Sequence, residues 1–227
     1  MRTTSAENDL ETRERVLEAG EELFVERGYN HVTVRDICRA AGANVAAVNY
    51  YFRDKLGLYQ EVLMKAIECM HEVAKSAHEG KAGSSAEERL RHYVRTFMGQ
   101  VLNNGLQCRA GKLMAHEMAD PSPAFDLIIE KAIRPNSARV ATLVSELTGL
   151  PPTDPKVGIC VGCIQTQIAG FTGPVAERMV PGGRFTGEII DFVAEQVVEF
   201  SLAGMRAIAQ KSDRPDPKTC QETSERA

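Results

Sequence analysis

Tryptophan is absent from this chain of 227 residues, and aromatic residues together make up only 6%. So few large rings suit packed helices better than a β-sandwich. Apolar–polar alternation of the strand type is missing too, as are hairpin turn pairs. No apolar run approaches the roughly 20 residues that span a bilayer. The opening stretch, MRTTSAENDLETRE, is polar and carries no apolar leader segment. The expectation is a soluble cytoplasmic protein with no membrane partner. Excess positive charge is lacking: 27 Lys and Arg face 31 Asp and Glu, a net −4. That excludes a general basic field of the kind that gathers nucleic acid without selectivity. Gly-x-Ser-x-Gly, a phosphate-binding glycine loop and His-Glu-x-x-His are all absent, so neither catalysis nor a cofactor is expected.

What the chain does have is 43% hydrophobic residues, enough for a sizeable core, arranged at helical spacing. About nine helices are predicted, an all-α fold. The first runs from about Glu11 to Arg27, with Val16, Gly20, Leu23 and Phe24 on one face and Gly28 closing it. Thr33 caps a second, Val34 to Ala41. Gly42 turns the chain, and Asn44 caps a third, Val45 to Tyr51. Asp54 opens a fourth, reaching about His78, and EGKAGSS follows as a loop. A fifth carries Leu90, Val94, Phe97, Met98, Val101 and Leu102 and is closed by Gly105. A sixth spans about Cys108 to Ala119. The seventh, Ala124 to Leu147, contains Pro135, which should kink or split it. The eighth runs from Asp154 to about Met179 across Gly170, Gly173 and Pro174, and the ninth from Thr186 to Ala209. The polar, proline-bearing residues 211–227 are expected to be disordered.

Residues 33–52, TVRDICRAAGANVAAVNYYF, therefore read as helix, tight turn, short helix. A short helix set off by a glycine turn can enter the major groove of DNA while the helix before it braces it. Charge argues both ways. Residues 1–60 hold 8 Lys and Arg against 10 Asp and Glu, yet within 33–55 Arg35, Arg39, Arg53 and Lys55 face only Asp36 and Asp54. The acids of the first helix are thus expected away from the DNA-facing side.

These residues resemble the DNA-binding domain of TetR-type transcriptional regulators. The resemblance lies in Thr33, Ala41-Gly42-Ala43, Tyr51-Phe52, Lys55 and Leu58; Asn49 departs from it, since the family usually has tyrosine there. The form VAAVNYYF, and more weakly KLMAHEMADPSPAFDLIIEKAIRP, resembles the CecR branch of that family. The resemblance implies an N-terminal helix-turn-helix domain over 1–56 and a C-terminal effector-binding and dimerisation domain over 57–210. It also implies a homodimeric repressor on a palindromic operator in double-stranded DNA, released by a small-molecule effector.

Individual side chains fit roles on DNA. Thr33, Tyr51 and Lys55 have groups that reach phosphates, contacts that position without specifying sequence, and Arg35 adds charge. Asn44, Ala46, Ala47, Asn49 and Tyr50 are placed to read bases, asparagine pairing with adenine and alanine touching a thymine methyl. Ile37, Val48, Phe52 and Leu58 read as packing. Tyr50 and Tyr51 are adjacent, so at least one must be exposed.

The last two helices carry wide apolar faces: Val157, Val161, Ile164 and Ile168, then Ile189, Val193, Val197 and Phe200. A four-helix dimer interface would bury them. Between these and the DNA-binding helices, Phe97, Met98, Met114, Met118, Phe125, Gln165 and Phe171 are candidate walls of an effector pocket, since Met and Phe make an adaptable apolar lining. The alternative from another class is a thiol-based sensor or small enzyme using Cys160 and Cys163, which share a helix face at i and i+3. No second Cys or His pair stands at zinc spacing, and six cysteines in such a chain fit free thiols better than disulfides. No metal site is expected.

Overall fold

A computed structural model describes residues 5–79, 83–102, 108–171 and 174–210. Among these residues all regular structure is helical, with no strand. The α-helices are α1 Ser5–Arg27, α2 Val34–Ala41, α3 Val45–Phe52, α4 Lys55–His78, α5 Ala86–Gln100, α6 Arg109–Ala119, α7 Phe125–Ile128, α8 Arg134–Thr148, α9 Pro155–Gly170, α10 Pro174–Met179 and α11 Gly187–Gln210. A π-helical turn, Ile129–Ile133, joins α7 to α8, and a 3₁₀ turn, Pro181–Gly183, precedes α11. The nine expected stretches are present, two of them divided. The tail 211–227 and Gly105 lie outside the described residues.

Both divisions have a proline cause. Pro135 has no N–H to give to a carbonyl one turn back. The chain widens into the π turn just before it, where the Arg134 amide donates to the Ile129 carbonyl. The Lys131 carbonyl, four residues before the proline, instead accepts a bond from His71 Nε2 of α4 at 2.5 Å. The eighth stretch stops at Gly170 and resumes with Pro174 as the first residue of α10, a position where the missing N–H costs nothing.

Two compact units result, and the division falls within α4. The first comprises 1–76 and 100–136, the second 77–99 and 137–227. This differs from a boundary at residue 56, because the short α1–α3 group does not close a core by itself. Val16, Phe24, Ile37, Val48 and Phe52 share theirs with Leu58, Tyr59, Leu63 and Ile67 of α4, Leu113 of α6 and Ile128 of α7. In the second unit α5 and α11 run antiparallel, tied by Arg206 to Glu87 at 2.6 Å, Arg91 to Glu195 at 2.9 Å and to Glu199 at 3.0 Å, and Arg95 to Asp191 at 2.5 Å. Among the described residues no helix is long and apolar enough to cross a membrane.

Candidate nucleic-acid interface

The helix-turn-helix is built from reciprocal caps. Thr33 Oγ1 accepts from the Asp36 amide at 3.2 Å and donates to Asp36 Oδ2 at 2.6 Å, while the Thr33 amide donates to the same carboxylate at 3.1 Å. These bonds hold the Asp36 carboxyl below its ordinary range, the Thr33 hydroxyl contributing most. Gly42 ends α2 with φ 61° and ψ 34°, a left-handed conformation that glycine adopts without Cβ strain. Asn44 then caps α3, its Oδ1 accepting from the Ala47 amide at 2.9 Å. From α1, Arg15 Nε donates to the Ala41 carbonyl at 3.4 Å, and the Arg13 guanidinium lies 5.0 Å over the Phe52 ring.

α3 is two-faced. Val48 and Phe52 are buried in the core of the first unit. Val45, Ala46, Asn49 and Tyr50 face outward, Tyr50 with 78% of its surface exposed. No other part of the described unit covers this strip. Its small and polar side chains can approach base edges closely, and Arg35, Arg39 and Arg53 are exposed beside it.

Four expected contact residues are already engaged. The Lys55 ammonium donates to the carbonyls of Tyr29 and Val32, both at 3.0 Å, and sits 3.9 Å from the Tyr29 ring centroid. Partial burial pushes its pKa down. Its charge fastens the α1–α2 loop, using two of its three N–H donors. The Tyr51 hydroxyl donates to Asp9 Oδ1 at 3.3 Å. Thr33 spends its hydroxyl proton on Asp36, and Asn44 uses one lone pair of its carbonyl oxygen on the cap. Asn49 carries no such commitment.

Sequence reasoning missed two residues at the α3–α4 junction. Arg53 has φ 71° and ψ −49°, close to the γ-turn conformation that side chains adopt under strain. Gly57 packs so tightly that a Cβ there would lie 2.0 Å from the Phe52 carbonyl oxygen. Within this core Tyr59 and Glu117 form a buried pair, with the hydroxyl donating to Glu117 Oε1 at 2.7 Å and the Ser122 amide donating to Oε2 at 3.2 Å. Burial and this bond hold the Tyr59 hydroxyl protonated far into alkaline solution. Of the α1 acids, Glu21 is drawn inward, paired with Arg109 at 2.9 Å and Lys65 at 3.4 Å, while the exposed Glu22 meets Arg109 at 3.8 Å; the α1 cation Arg13 meets Glu61 of α4 at 2.5 Å.

Residues 16–62 match the sequence profile of bacterial regulatory proteins of the tetR family, and residues 86–205 that of the C-terminal domain of the HTH-type transcriptional dual regulator CecR. The chain belongs to the TetR family. It is a transcriptional regulator with a DNA-binding helix-turn-helix and resembles CecR. It is 42% identical over 66 residues to the HTH-type transcriptional repressor BepR of Brucella suis, covering 29% of this chain and 31% of BepR. The match to that relative therefore spans about a third of its length. Identity to CecR of Shigella flexneri is 23% over 169 residues, 71% of this chain and 75% of CecR. The fold is also that of a TetR-like transcriptional regulator from Rhodococcus sp. RHA1, with a TM-score of 0.60 and 19% identity over 89% of this chain and all of that one.

In this TetR-family chain the expected dimer residues lie at different depths. Val157, Val161, Ile164, Ile168 and Val197 are buried within the second unit, and Ile189 and Val193 are half-buried. Helical periodicity shows that a face is apolar but not what covers it. The hydrophobic side chains left outside on α9 and α11 are Ile159, Phe192 and Phe200, 64%, 67% and 73% exposed. The expected effector residues divide by unit. Met114, Met118 and Phe125 belong to the first, where Met118 points to solvent; Phe97, Met98, Gln165 and Phe171 belong to the second. Met98 is wholly buried, and Gln165 is hydrogen-bonded to Ser137 at 3.1 Å. Cys160 is buried, which pushes its thiol pKa up, whereas Cys163 is exposed. A raised pKa suppresses the thiolate that a sensor would use.

Proposed function

We propose that this regulator is a homodimeric repressor that binds a palindromic operator and is released by a small-molecule effector. The observation that carries the reading is the outer strip of α3, where Val45, Ala46, Asn49 and Tyr50 stand uncovered beside Arg35, Arg39 and Arg53. In the proposed complex, the three arginines meet phosphates and fix register. Asn49 pairs with an adenine edge, Ala46 and Val45 contact thymine methyls, and Tyr50 reaches the neighbouring base or its sugar. Thr33, Asn44 and Lys55 act one step back, holding the helices that present these groups.

Two copies related by a two-fold axis place two such strips on successive major grooves. Ile159, Phe192 and Phe200 supply the apolar centre of an isologous contact. An effector bound in the second unit releases DNA to the extent that it prefers the state with mismatched half-site spacing. BepR is named a repressor and CecR a dual regulator, and the repressor reading follows the former.

The test is fluorescence anisotropy of the full chain on its own upstream DNA, across a salt series, with unrelated duplex as competitor. Six arginines in the dimer give an expected slope of log K against log salt of about −5. Asn49→Ala should change sequence preference in a selection from random DNA, while Arg35→Ala should lower affinity for every sequence and flatten the slope by about two. Equal losses without a change in preference would overturn the assignment of Asn49. Binding abolished by the competitor, together with no enriched sequence in the selection, would overturn operator recognition itself.

A further inference from the structure

We propose that the second unit contains an oxyanion site, a cleft formed by the end of α4, the start of α5 and the middle of α8, which takes the carboxylate or phosphate group of a small molecule. The cleft is lined by His78, Arg89, Arg139, Thr142 and Leu143 and encloses about 220 Å³. That is below the usual range for drug-sized ligands and suits a charged group with a few attached atoms.

Arg89 is ion-paired through Nη2 to Glu146, but its Nε is buried and finds no acceptor among the described residues. A buried N–H without an acceptor is costly, and native structures leave few of them. Arg139 is exposed and forms no ion pair among the described residues. With Glu146 counted against the two arginines, one positive charge stays unbalanced at the cleft. His78 forms one wall, its ring stacked on Tyr93 with centroids 4.8 Å apart. Leu143, nearly buried, gives an apolar contact for the carbon attached to the anion. Planar guanidinium groups present N–H donors in the geometry that carboxylate and phosphate oxygens accept. A neutral acceptor could satisfy the Arg89 Nε but would leave the surplus charge unanswered, whereas an anion answers both, so the chemistry favours an anion.

As a statement about the effector, this inference rests on the ligand-released reading above; as a binding site it does not. The test uses the full chain, with thermal unfolding measured in sodium phosphate, in sodium succinate and in sodium chloride at one ionic strength. Operator anisotropy is read in the same three solutions. At tenfold above Kd, the bound anion should raise the unfolding midpoint by roughly 3–6 °C over chloride. Which anion does so separates phosphate from carboxylate chemistry. Arg139→Gln should weaken the apparent affinity at least tenfold, Thr142→Phe should fill the cleft and abolish the shift, and Arg178→Gln, on α10, should leave it unchanged. No shift beyond chloride, or shifts equal to wild type in both cleft variants, overturns the site. Operator binding that persists in that case leaves the regulator reading standing. A shift that leaves operator affinity unchanged supports the site and removes its role as the effector's.

Discussion

Two residues four positions apart make opposite predictions at the α3–α4 junction. Alanine at position 57 would place its methyl carbon on the Phe52 carbonyl oxygen, backbone that cannot yield without moving α3. Gly57→Ala should therefore cost about 3 kcal/mol or more, measured by chemical denaturation. A variant within 1 kcal/mol of wild type would refute the close packing. Arg53 stores strain that glycine would not. Arg53→Gly should raise stability by about 1 kcal/mol and lower DNA affinity at the same time. Loss of stability and affinity together would mean that the side chain holds the junction instead. Neither residue was legible as such in the sequence. Arg53 was counted only as a charge, and Gly57 sits inside an apolar helical pattern where a glycine reads as neutral filler. Both depend on a backbone dihedral or a close approach, which residue spacing does not encode.

At the scale of elements, local signals proved readable. Thr33, Gly42 and Asn44 mark caps and a turn whose chemistry lies within three or four residues of chain, and the helices begin and end where those residues predict, although the answering role of Asp36 shows only in the structure. Thr33→Ala should destabilise by about 1 kcal/mol, checked by urea denaturation; an unchanged midpoint would show the cap to be idle. The same cap has a pH signature. Asp36 has its carboxyl pKa lowered by folding, so its contribution is complete above the unfolded value and is lost as pH falls through the folded one. The acid-side loss of stability should be shallower in Thr33→Ala than in wild type. The break at Pro135 was also legible, but its form was not. A proline announces a missing donor without saying whether the helix will bend, stop or widen, and the answer here involves His71, which bonds Lys131 across sixty residues of chain.

For the whole molecule, the sequence spoke less clearly, because two kinds of apolar face look alike in one dimension. Val157, Val161, Ile164 and Ile168 line the inside of the second unit; Ile159, Phe192 and Phe200 lie outside it. The proposed dimer therefore predicts a sharp contrast. Phe200→Glu should shift the sedimentation profile from dimer to monomer with little change in helical content, whereas Val161→Glu should unfold the second unit. A Phe200→Glu protein that stays dimeric would move the interface elsewhere. The candidate effector residues are soft and large, properties shared by core and pocket alike, and they fall in two units.

The pairing of Glu21 and Glu22 bears on how such a protein spends its time in a cell. With Glu21 and Glu22 held by Arg109, and Lys65 also on Glu21, few cations remain for phosphates, and the chain as a whole is negative. Genomic DNA offers an enormous excess of wrong sites, and a strongly basic protein is sequestered by them. On the proposed reading, with three arginines per copy beside α3 to meet phosphates, this one would hold wrong sites only briefly, so that a small number of copies suffices to find its operator.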